Sequence, residues 1–374
     1  MANLVNDCMK LGFGMMRLPR SADKSIDIAR TEKMVDAFLA AGGKYFDTAF
    51  VYEGSEEATG KALCARHPRE SYYLATKLNA AEFACKNAEE ALAEFETSLQ
   101  RTGAGYFDFY LLHALDGENK KKYEEYGVWD FVRRLKERGL VKHYGFSFHD
   151  SPEVLDEILN EHPDAEFVQL QINYADWEDA RVQSRRCYEV ATAHGKPVVV
   201  MEPVKGGTLA DPPERVKREL NAQNPNITPS SWAIRFAASL DNVMIVLSGM
   251  SDEAQMADNL ATMKDFQPLT PEEQETIVRA RTALNTYDRI ACTACKYCTP
   301  GCPMQIEIPR VFSTMNHYKM YGDRFFQENP NRSREIQAKR LKGFHRGIPK
   351  LAVHADLYDT RRHDHHLHVI LPIL

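Results

Sequence analysis

Ionisable side chains stand at the ends of three apolar runs in the first third of the chain. KYFD ends at Asp47 and is soon followed by Tyr52, YYLATK ends at Lys77, and FDFYLLH ends at His113. A tyrosine can protonate a developing alkoxide, but its unperturbed pKa of about 10 is high for that task. A neighbouring ammonium lowers this pKa, and a carboxylate keeps the ammonium charged. The set therefore predicts proton transfer to a carbonyl oxygen, with His113 orienting the substrate.

Each of these residues alone also has a structural explanation. Asp47 would suit a helix cap, Tyr52 a rim aromatic, Lys77 a strand end with a solvated head, and His113 a hydrogen-bonded core histidine. Their shared position at strand ends favours one functional site over four separate structural roles.

The elements that must position these residues alternate between strand and helix. Helical patterns such as TEKMVDAFLAAGG separate the apolar runs, and KHYGFSF, FVQLQIN, PVVVM and VMIVLSG continue the series of strands. A long loop is expected between PVVVM and a helix near Pro229. The alternation predicts an α/β fold, a (β/α)8 TIM barrel whose strand C-termini form one active face. An open doubly wound sheet is the alternative, but LGFGMMRLPR lacks the G-x-G-x-x-G fingerprint.

Length and charge limit the class of protein. The 374 residues carry 27% charged side chains and a net charge of −6, so no general attraction to nucleic acid or anionic membrane is expected. MANLVNDCMK has no signal-peptide pattern, which predicts a cytoplasmic location. We expect a barrel over residues 1–270, a helical extension over 271–338 and an irregular, His-rich tail over 339–374.

The extension carries a dense cysteine run, at Cys292, Cys295, Cys298 and Cys302, followed by Pro303. C-x2-C-x2-C-x3-C-P is the bacterial ferredoxin spacing and predicts a [4Fe-4S] cluster. Structural zinc usually takes pairs that stand further apart, so zinc is the lesser alternative, with an empty site the third. The fourth cysteine of such a run often ligates a second cluster, yet no cysteine follows Cys302. One cluster is therefore expected.

Several blocks of the chain resemble the aldo/keto reductase family. The likeness runs from FDTAFVYEGSEEATGKAL through ATK, DFYLLH, YGFSFHD and FVQLQINY to SGMSDEAQMADNL. The cysteine run is similar to that of the branch with a C-terminal ferredoxin-like domain. The resemblance implies a catalytic tetrad of Asp47, Tyr52, Lys77 and His113, with Tyr52 as proton donor. It also implies an extended NAD(P)H across the barrel mouth.

The resemblance further implies six cofactor contacts. Ser147 and Gln169 match the positions that hold the nicotinamide carboxamide, and the phosphate and adenosine contacts are expected from Lys205, Gly207, Ser251 and Asn259. The chain departs from many members at Met201, where they stack a tyrosine on the nicotinamide. Asp252 and Glu253 would repel a 2′-phosphate, which favours NADH over NADPH.

These observations predict an NAD(P)H-dependent oxidoreductase that reduces an aldehyde or ketone to an alcohol. Its expected partners are a small carbonyl substrate and a redox partner protein. One alternative is an iron–sulfur electron-transfer or redox-sensing protein that uses the barrel to bind nicotinamide. Another is a barrel that binds the nucleotide with little turnover.

Overall fold

The computed structural model describes residues 4–5, 8–81, 84–287 and 308–321. Within them, parallel strands close into a barrel in the order β1 to β8. The strands are β1 Leu11–Gly14, β2 Tyr45–Asp47, β3 Tyr73–Leu78, β4 Phe107–Leu115, β5 Val141–Phe148, β6 Phe167–Gln171, β7 Val198–Met201 and β8 Val243–Ser248. The predicted (β/α)8 barrel is confirmed.

Helices follow the strands along the chain. They are α1 Ile28–Ala40, α2 Ser55–Thr59, α3 Ala88–Thr102, α4 Lys120–Glu125, α5 Val128–Glu137, α6 Pro152–Glu161, α7 Ser184–Ala193, α8 Glu214–Gln223, α9 Pro229–Ala238, α10 Glu253–Lys264, α11 Pro271–Asn285 and α12 Ile308–Tyr321. A π-helical stretch, Gly60–Cys64, continues α2, and short 3-10 turns lie at Met15–Arg17, Arg69–Ser71 and Lys205–Gly207.

The segment between β7 and α9 differs from the sequence prediction. It was expected to be a long loop, but it contains α8, with Val216 and Leu220 buried on one face. Polar residues dominate α8, so its two apolar positions give a weak helical signal that becomes decisive only through packing against α11.

Six of the helices listed above begin at a side chain that accepts a hydrogen bond from a free N–H group of the first turn. Asn87 caps α3 by accepting from the Glu90 N–H, and Thr270 caps α11 in a reciprocal capping box with Glu273. Such caps fix where each helix starts, and hence the length of the preceding loop on the barrel face.

Two layers of apolar side chains hold the barrel. One fills the interior with residues such as Tyr45, Phe109, Phe167 and Ile245. The other lies between strands and helices and includes Phe13, Phe38 and Phe46, whose rings contact one another. None of the helices in the described part of the chain is both long and apolar enough to span a bilayer.

The chain divides into two compact units, Met1–Tyr287 and Asp288–Leu374. The first unit contains the barrel and also α11, which the sequence analysis had placed in the extension. Of the second unit, the structure describes α12. The tail predicted over 339–374 lies outside the described residues.

Candidate active site

Strand alternation aims the predicted catalytic side chains into the barrel. Successive side chains of a strand point to opposite faces, so residues two apart line the same face. Asp47 follows the interior residue Tyr45 on β2, Lys77 follows Ala75 on β3, and His113 follows Leu111 on β4. Each of these polar side chains therefore lies one layer closer to the barrel mouth than an apolar interior residue of the same strand, at the strand's C-terminal end.

Lys77 and Asp47 form a buried ion pair on adjacent strands. Lys77 Nζ donates to Asp47 Oδ1 at 2.6 Å and to the Thr48 carbonyl at 2.7 Å. The Lys77 side chain is fully buried, and that of Asp47 is 5% exposed. A buried charge pair of this kind persists only with additional hydrogen bonds, and the Thr48 carbonyl supplies one. The pair fixes the ammonium at one place beneath the barrel mouth.

Tyr52 lies over this ammonium on a short turn after β2. The Tyr52 N–H donates to Ala49 O at 3.0 Å, and the Ser55 N–H donates to Tyr52 O at 2.9 Å. Lys77 Nζ lies 5.2 Å from the centre of the Tyr52 ring. The Tyr52 ring also meets the His113 ring edge to face, with centroids 5.6 Å apart and an interplanar angle of 82°. The four predicted catalytic residues therefore lie together.

An irregularity in β4 presents His113 to the mouth. The register between β4 and β5 shifts between Leu112 and Leu115, and Ala114 takes a positive φ of 56°. The Tyr123 hydroxyl donates to His113 O at 2.5 Å, and the Ala114 N–H donates to Ser147 Oγ at 2.7 Å. Bulges change the direction of side chains beside active sites. Here the bulge is stabilised by the hydrogen bonds at the His113 carbonyl and the Ala114 N–H.

Burial has the largest effect on proton affinity in this cluster. It raises the pKa of Tyr52, and the Lys77 ammonium only partly opposes that rise. Burial also raises the pKa of Asp47, again against the effect of Lys77. For His113, burial and then Lys77 bring the pKa well below its usual value. The net lowering of the Tyr52 pKa expected from sequence is thus not observed: Tyr52 and His113 are both neutral near neutral pH.

The two residues predicted to hold a carboxamide lie side by side. Ser147 on β5 is directly paired in register with Gln169 on β6, and both are buried. Gln169 Nε2 contacts Met201 Sδ at 3.5 Å, whereas its buried Oε1 has no hydrogen-bond partner within the described residues. A free acceptor beside a serine hydroxyl suits a ligand amide, which offers N–H donors and a carbonyl. These residues fit a nicotinamide.

The four remaining predicted cofactor residues follow β7 and β8. The Lys205 ammonium pairs with the buried carboxylate of Asp176. Gly207 has a φ of +96° and an open Cβ position. The Ser251 N–H donates to Gln255 Oε1 at 2.9 Å, and Asn259 Nδ2 donates to Ser248 Oγ at 2.7 Å. They share the strand-end face with the tetrad, and their roles stay predictions.

The structure adds site residues that the sequence analysis did not single out. Glu202 directly follows β7 and pairs with Arg17 after β1 at 3.4 Å. Their charges act on Tyr52 in opposite directions. Glu202 carries the same signal that identified Asp47, an acidic residue at a strand end, and could have been found by it. Asn173 and Asp176 lie after β6, where nothing in the sequence separates them from a solvated loop.

The predicted metal ligands Cys292, Cys295, Cys298 and Cys302 lie outside the described residues. Within the ranges that the structure covers, no group of three or more His, Cys, Asp or Glu side chains is arranged to hold a metal ion. The cysteine cluster therefore rests on its spacing.

Comparison with known proteins gives one consistent result. The model of the Aldo/keto reductase family matches residues 10–281. A protein named aldo-keto reductase from Mycolicibacterium paratuberculosis is 32% identical over 272 residues, which cover 71% of this chain and 84% of that protein. Another from a Mycobacterium species is 30% identical over 250 residues, covering 67% of this chain and 81% of that protein.

Solved structures show the same fold. The holo form of an aldo-keto reductase from Bacillus halodurans superposes with a TM-score of 0.58 at 24% identity, covering 72% of this chain and 91% of that one. An aldo-keto reductase from Klebsiella pneumoniae in complex with NADPH gives a TM-score of 0.57 at 19% identity, covering 72% and 90%.

Proposed function

Because the chain belongs to the aldo/keto reductase family, a family of NAD(P)H-dependent oxidoreductases, we propose that it reduces an aldehyde or ketone to an alcohol with Tyr52 as the proton donor. The observation that carries this proposal is the packing of Tyr52 between the paired Lys77 ammonium and the neutral His113 ring. A cytoplasmic location and a redox partner protein stay predictions from the sequence.

The four tetrad residues divide the proposed work between them. Bound NAD(P)H would supply the hydride. Tyr52, protonated at neutral pH, donates its phenolic proton to the oxygen that gains charge, and the Lys77 ammonium stabilises the phenolate that is left. Asp47 holds the ammonium in place through Oδ1. His113 is neutral beside Tyr52 and so can hydrogen-bond the carbonyl oxygen without adding a second charge.

Replacing the Tyr52 hydroxyl tests this proposal. Tyr52→Phe keeps the ring packing but removes the proton donor, so kcat for carbonyl reduction should fall by about 10²–10⁴. The dissociation constant for the nucleotide, measured by fluorescence quenching, should stay unchanged. Tyr126→Phe is the matched control, because the Tyr126 hydroxyl donates to the exposed carbonyl of Lys86 at 3.4 Å and none of the tetrad residues takes part in this contact. Equal rates in the Tyr52 variant and the parent would refute the assigned role.

The choice of nucleotide is proposed afresh from the contacts after β8. The repulsion expected from Glu253 is reduced, because its carboxylate forms a two-point pair with Arg30, at 3.0 Å and 2.5 Å. Asp252 is engaged as the N-cap of α10. These contacts weaken the argument for NADH, and the Klebsiella structure was solved in complex with NADPH. We propose that both nucleotides are accepted, and the ratio of kcat/KM for the two measures it. A strong preference for NADH would restore the repulsion argument.

The cysteine run supports a separate proposal. Cys292, Cys295, Cys298 and Cys302 are proposed to hold one [4Fe-4S] cluster, on the strength of their ferredoxin spacing. Protein purified without oxygen should contain iron and sulfide in equal amounts and show a broad visible absorption band. Cys295→Ser should lose the band, whereas Cys187→Ser, a buried thiol of the barrel, should keep it. Stoichiometric zinc, or no metal at all, would refute the cluster.

A further inference from the structure

The loop that follows β7 is held at two points by the loop that follows β6. Asn173 Nδ2 donates to the Glu202 carbonyl at 3.2 Å. Three residues further along each loop, the Lys205 ammonium pairs with the Asp176 carboxylate. Asn173 and Asp176 are joined to each other, because Asn173 Oδ1 accepts from the Asp176 N–H at 2.9 Å and Asn173 Nδ2 donates to Asp176 Oδ2 at 2.8 Å. We call Asn173 and Asp176 the clamp.

Asp176 is the buried centre of this arrangement. Its side chain is 4% exposed, whereas that of Lys205 is 32% exposed. Besides Lys205 and Asn173, it accepts from Gln171 Nε2 at 2.9 Å. A buried carboxylate is stable only when its charge is paired and its oxygens are hydrogen-bonded, and Lys205 supplies the positive charge within this set. The Lys205 ammonium therefore already has an anionic partner within the protein.

Both loop residues that the clamp contacts have a left-handed backbone conformation. Glu202 has a φ of 57° and Lys205 a φ of 48°, and neither is glycine. The left-handed turn continues through Gly206 and Gly207, at 62° and 96°. Non-glycine residues keep this conformation only where their surroundings determine it, typically at ligand-binding loops. The clamp thus contacts the loop at both of its non-glycine residues with positive φ.

These contacts change the role assigned to Lys205. The sequence predicts that Lys205 contacts a phosphate or the adenosine of the nucleotide directly, but its ammonium already pairs with the buried carboxylate of Asp176. We propose that Asp176 is a positioning residue, which acts through Lys205 and together with Asn173 to hold residues 202–207 in the conformation that binds the dinucleotide. This inference rests on the proposed nucleotide-dependent function and extends it to a residue outside the tetrad.

A double-mutant cycle separates positioning from direct contact. The variants are Asp176→Asn, Lys205→Met and the two combined, and the readout is the dissociation constant for NADPH by fluorescence quenching. If Lys205 acts through Asp176, each single change weakens binding by roughly tenfold and the double variant is no weaker, as expected for coupled residues. Saturating NADPH should restore kcat, because the tetrad is intact. Losses that multiply in the double variant, or single variants that bind normally, would overturn the inference.

A matched control and a second readout keep the test decisive. Asp179 lies on the same loop, and Asp179→Asn weakens its ion pair with Arg181 at 3.0 Å, which includes neither Asp176 nor Lys205. It should bind NADPH normally. If Asp176→Asn does not fold, hydrogen–deuterium exchange of nucleotide-free Lys205→Met replaces the cycle. Positioning predicts faster exchange over residues 202–207, whereas a direct phosphate contact predicts no change in the free protein.

The binding assay also separates this inference from the proposed function. Failure of the proposed function would appear as parent protein that binds nucleotide but reduces no carbonyl compound. Failure of the inference would appear as single variants that bind NADPH normally, or as losses of affinity that multiply in the double variant, whether or not turnover is found.

Discussion

The Lys77 ammonium shows how a residue gains its role from its partners. It is fully buried and is shared between Asp47 Oδ1 and the Thr48 carbonyl. The ammonium lowers the pKa of Tyr52, but burial raises this pKa by more and so keeps the phenol protonated. In a reduction, the protonated phenol is the form that donates. The ammonium therefore acts mainly after the transfer, when the charge of the phenolate appears.

Two charges at the mouth should tune Tyr52 in opposite directions. Besides burial, which has the largest effect, the Glu202 carboxylate raises the pKa of Tyr52 and the Arg17 guanidinium lowers it. Reduction needs protonated Tyr52, so the rate falls as pH rises through this pKa. Glu202→Gln should move that fall to lower pH, and Arg17→Gln should move it to higher pH.

The measurement is the pH profile of kcat/KM for the carbonyl substrate. The nucleotide is kept saturating, so that a change in nucleotide affinity through residues 202–207 does not alter the measured rate. The two variants serve as controls for each other, because a general disturbance of the mouth would shift both profiles the same way. A common direction, or no shift in either profile, would contradict the electrostatic explanation.

At the scale of elements, the spacing of β5 and β6 sets the positions of Ser147 and Gln169, which are proposed to hold the nicotinamide. Gly145 pairs with Phe167, and two residues further along Ser147 pairs with Gln169. A Cβ at Gly145 would lie 2.2 Å from the Phe167 carbonyl oxygen and 2.9 Å from its Cδ1. The absence of a side chain at residue 145 therefore allows the two strands to approach closely enough for the polar pair above them.

Gly145→Ala should disturb stability and binding together. Overpacking against backbone forces the strands apart, and the free energy of unfolding should fall by about 1–3 kcal/mol, as measured by urea denaturation. Nucleotide binding should weaken as well, because Ser147 and Gln169 move with their strands. Gly14→Ala is the stability control: φ is −76° and the nearest atom to its Cβ would be 3.5 Å away. Equal stability of the two variants would refute the close-approach argument.

At the scale of the whole molecule, the barrel unit ends beyond the last barrel strand and its helix. The unit Met1–Tyr287 includes α11, which buries Ile277, Ala280 and Leu284. Arg235 on α9 pairs with Glu273 on α11 at 2.7 Å, with both side chains mostly buried. α11 is thus part of the barrel's outer layer, where it covers α8.

Two truncations should therefore behave differently. A chain that ends after Tyr287 should fold and reduce carbonyl substrates with the kcat of the full chain, because it keeps α11 and the tetrad. A chain that ends after Thr270 should lose several kcal/mol of stability, since each buried Ile or Leu side chain contributes about 1.5–3 kcal/mol. Thermal unfolding and steady-state kinetics of both chains check this. Equal melting temperatures would show that α11 is dispensable to the barrel.

The sequence by itself determined the barrel and its tetrad. Apolar runs that end in Asp47, Lys77 and His113 indicate the strands, and the alternation of side chains along a strand sets the face to which these last residues point. Because parallel strand C-termini meet at one face, the topology then brings these residues together without further information. Apolar spacing predicted helices such as α1, but it predicted neither α4 nor α8, and in α8 only two apolar residues face the core.

The tertiary structure alone decided the properties that depend on burial and on contacts between loops. The net direction of the Tyr52 pKa depends on how much solvent the folded mouth excludes, which no local pattern records. The pairing of Lys205 with Asp176 joins residues from different loops, whose sequences are those of ordinary polar connections. The assignment of α11 to the barrel depends likewise on what its apolar face covers. Local sequence indicates where the strands lie and end. The burial of a side chain and the identity of its ion-pair partner are decided only when distant segments of the chain pack together.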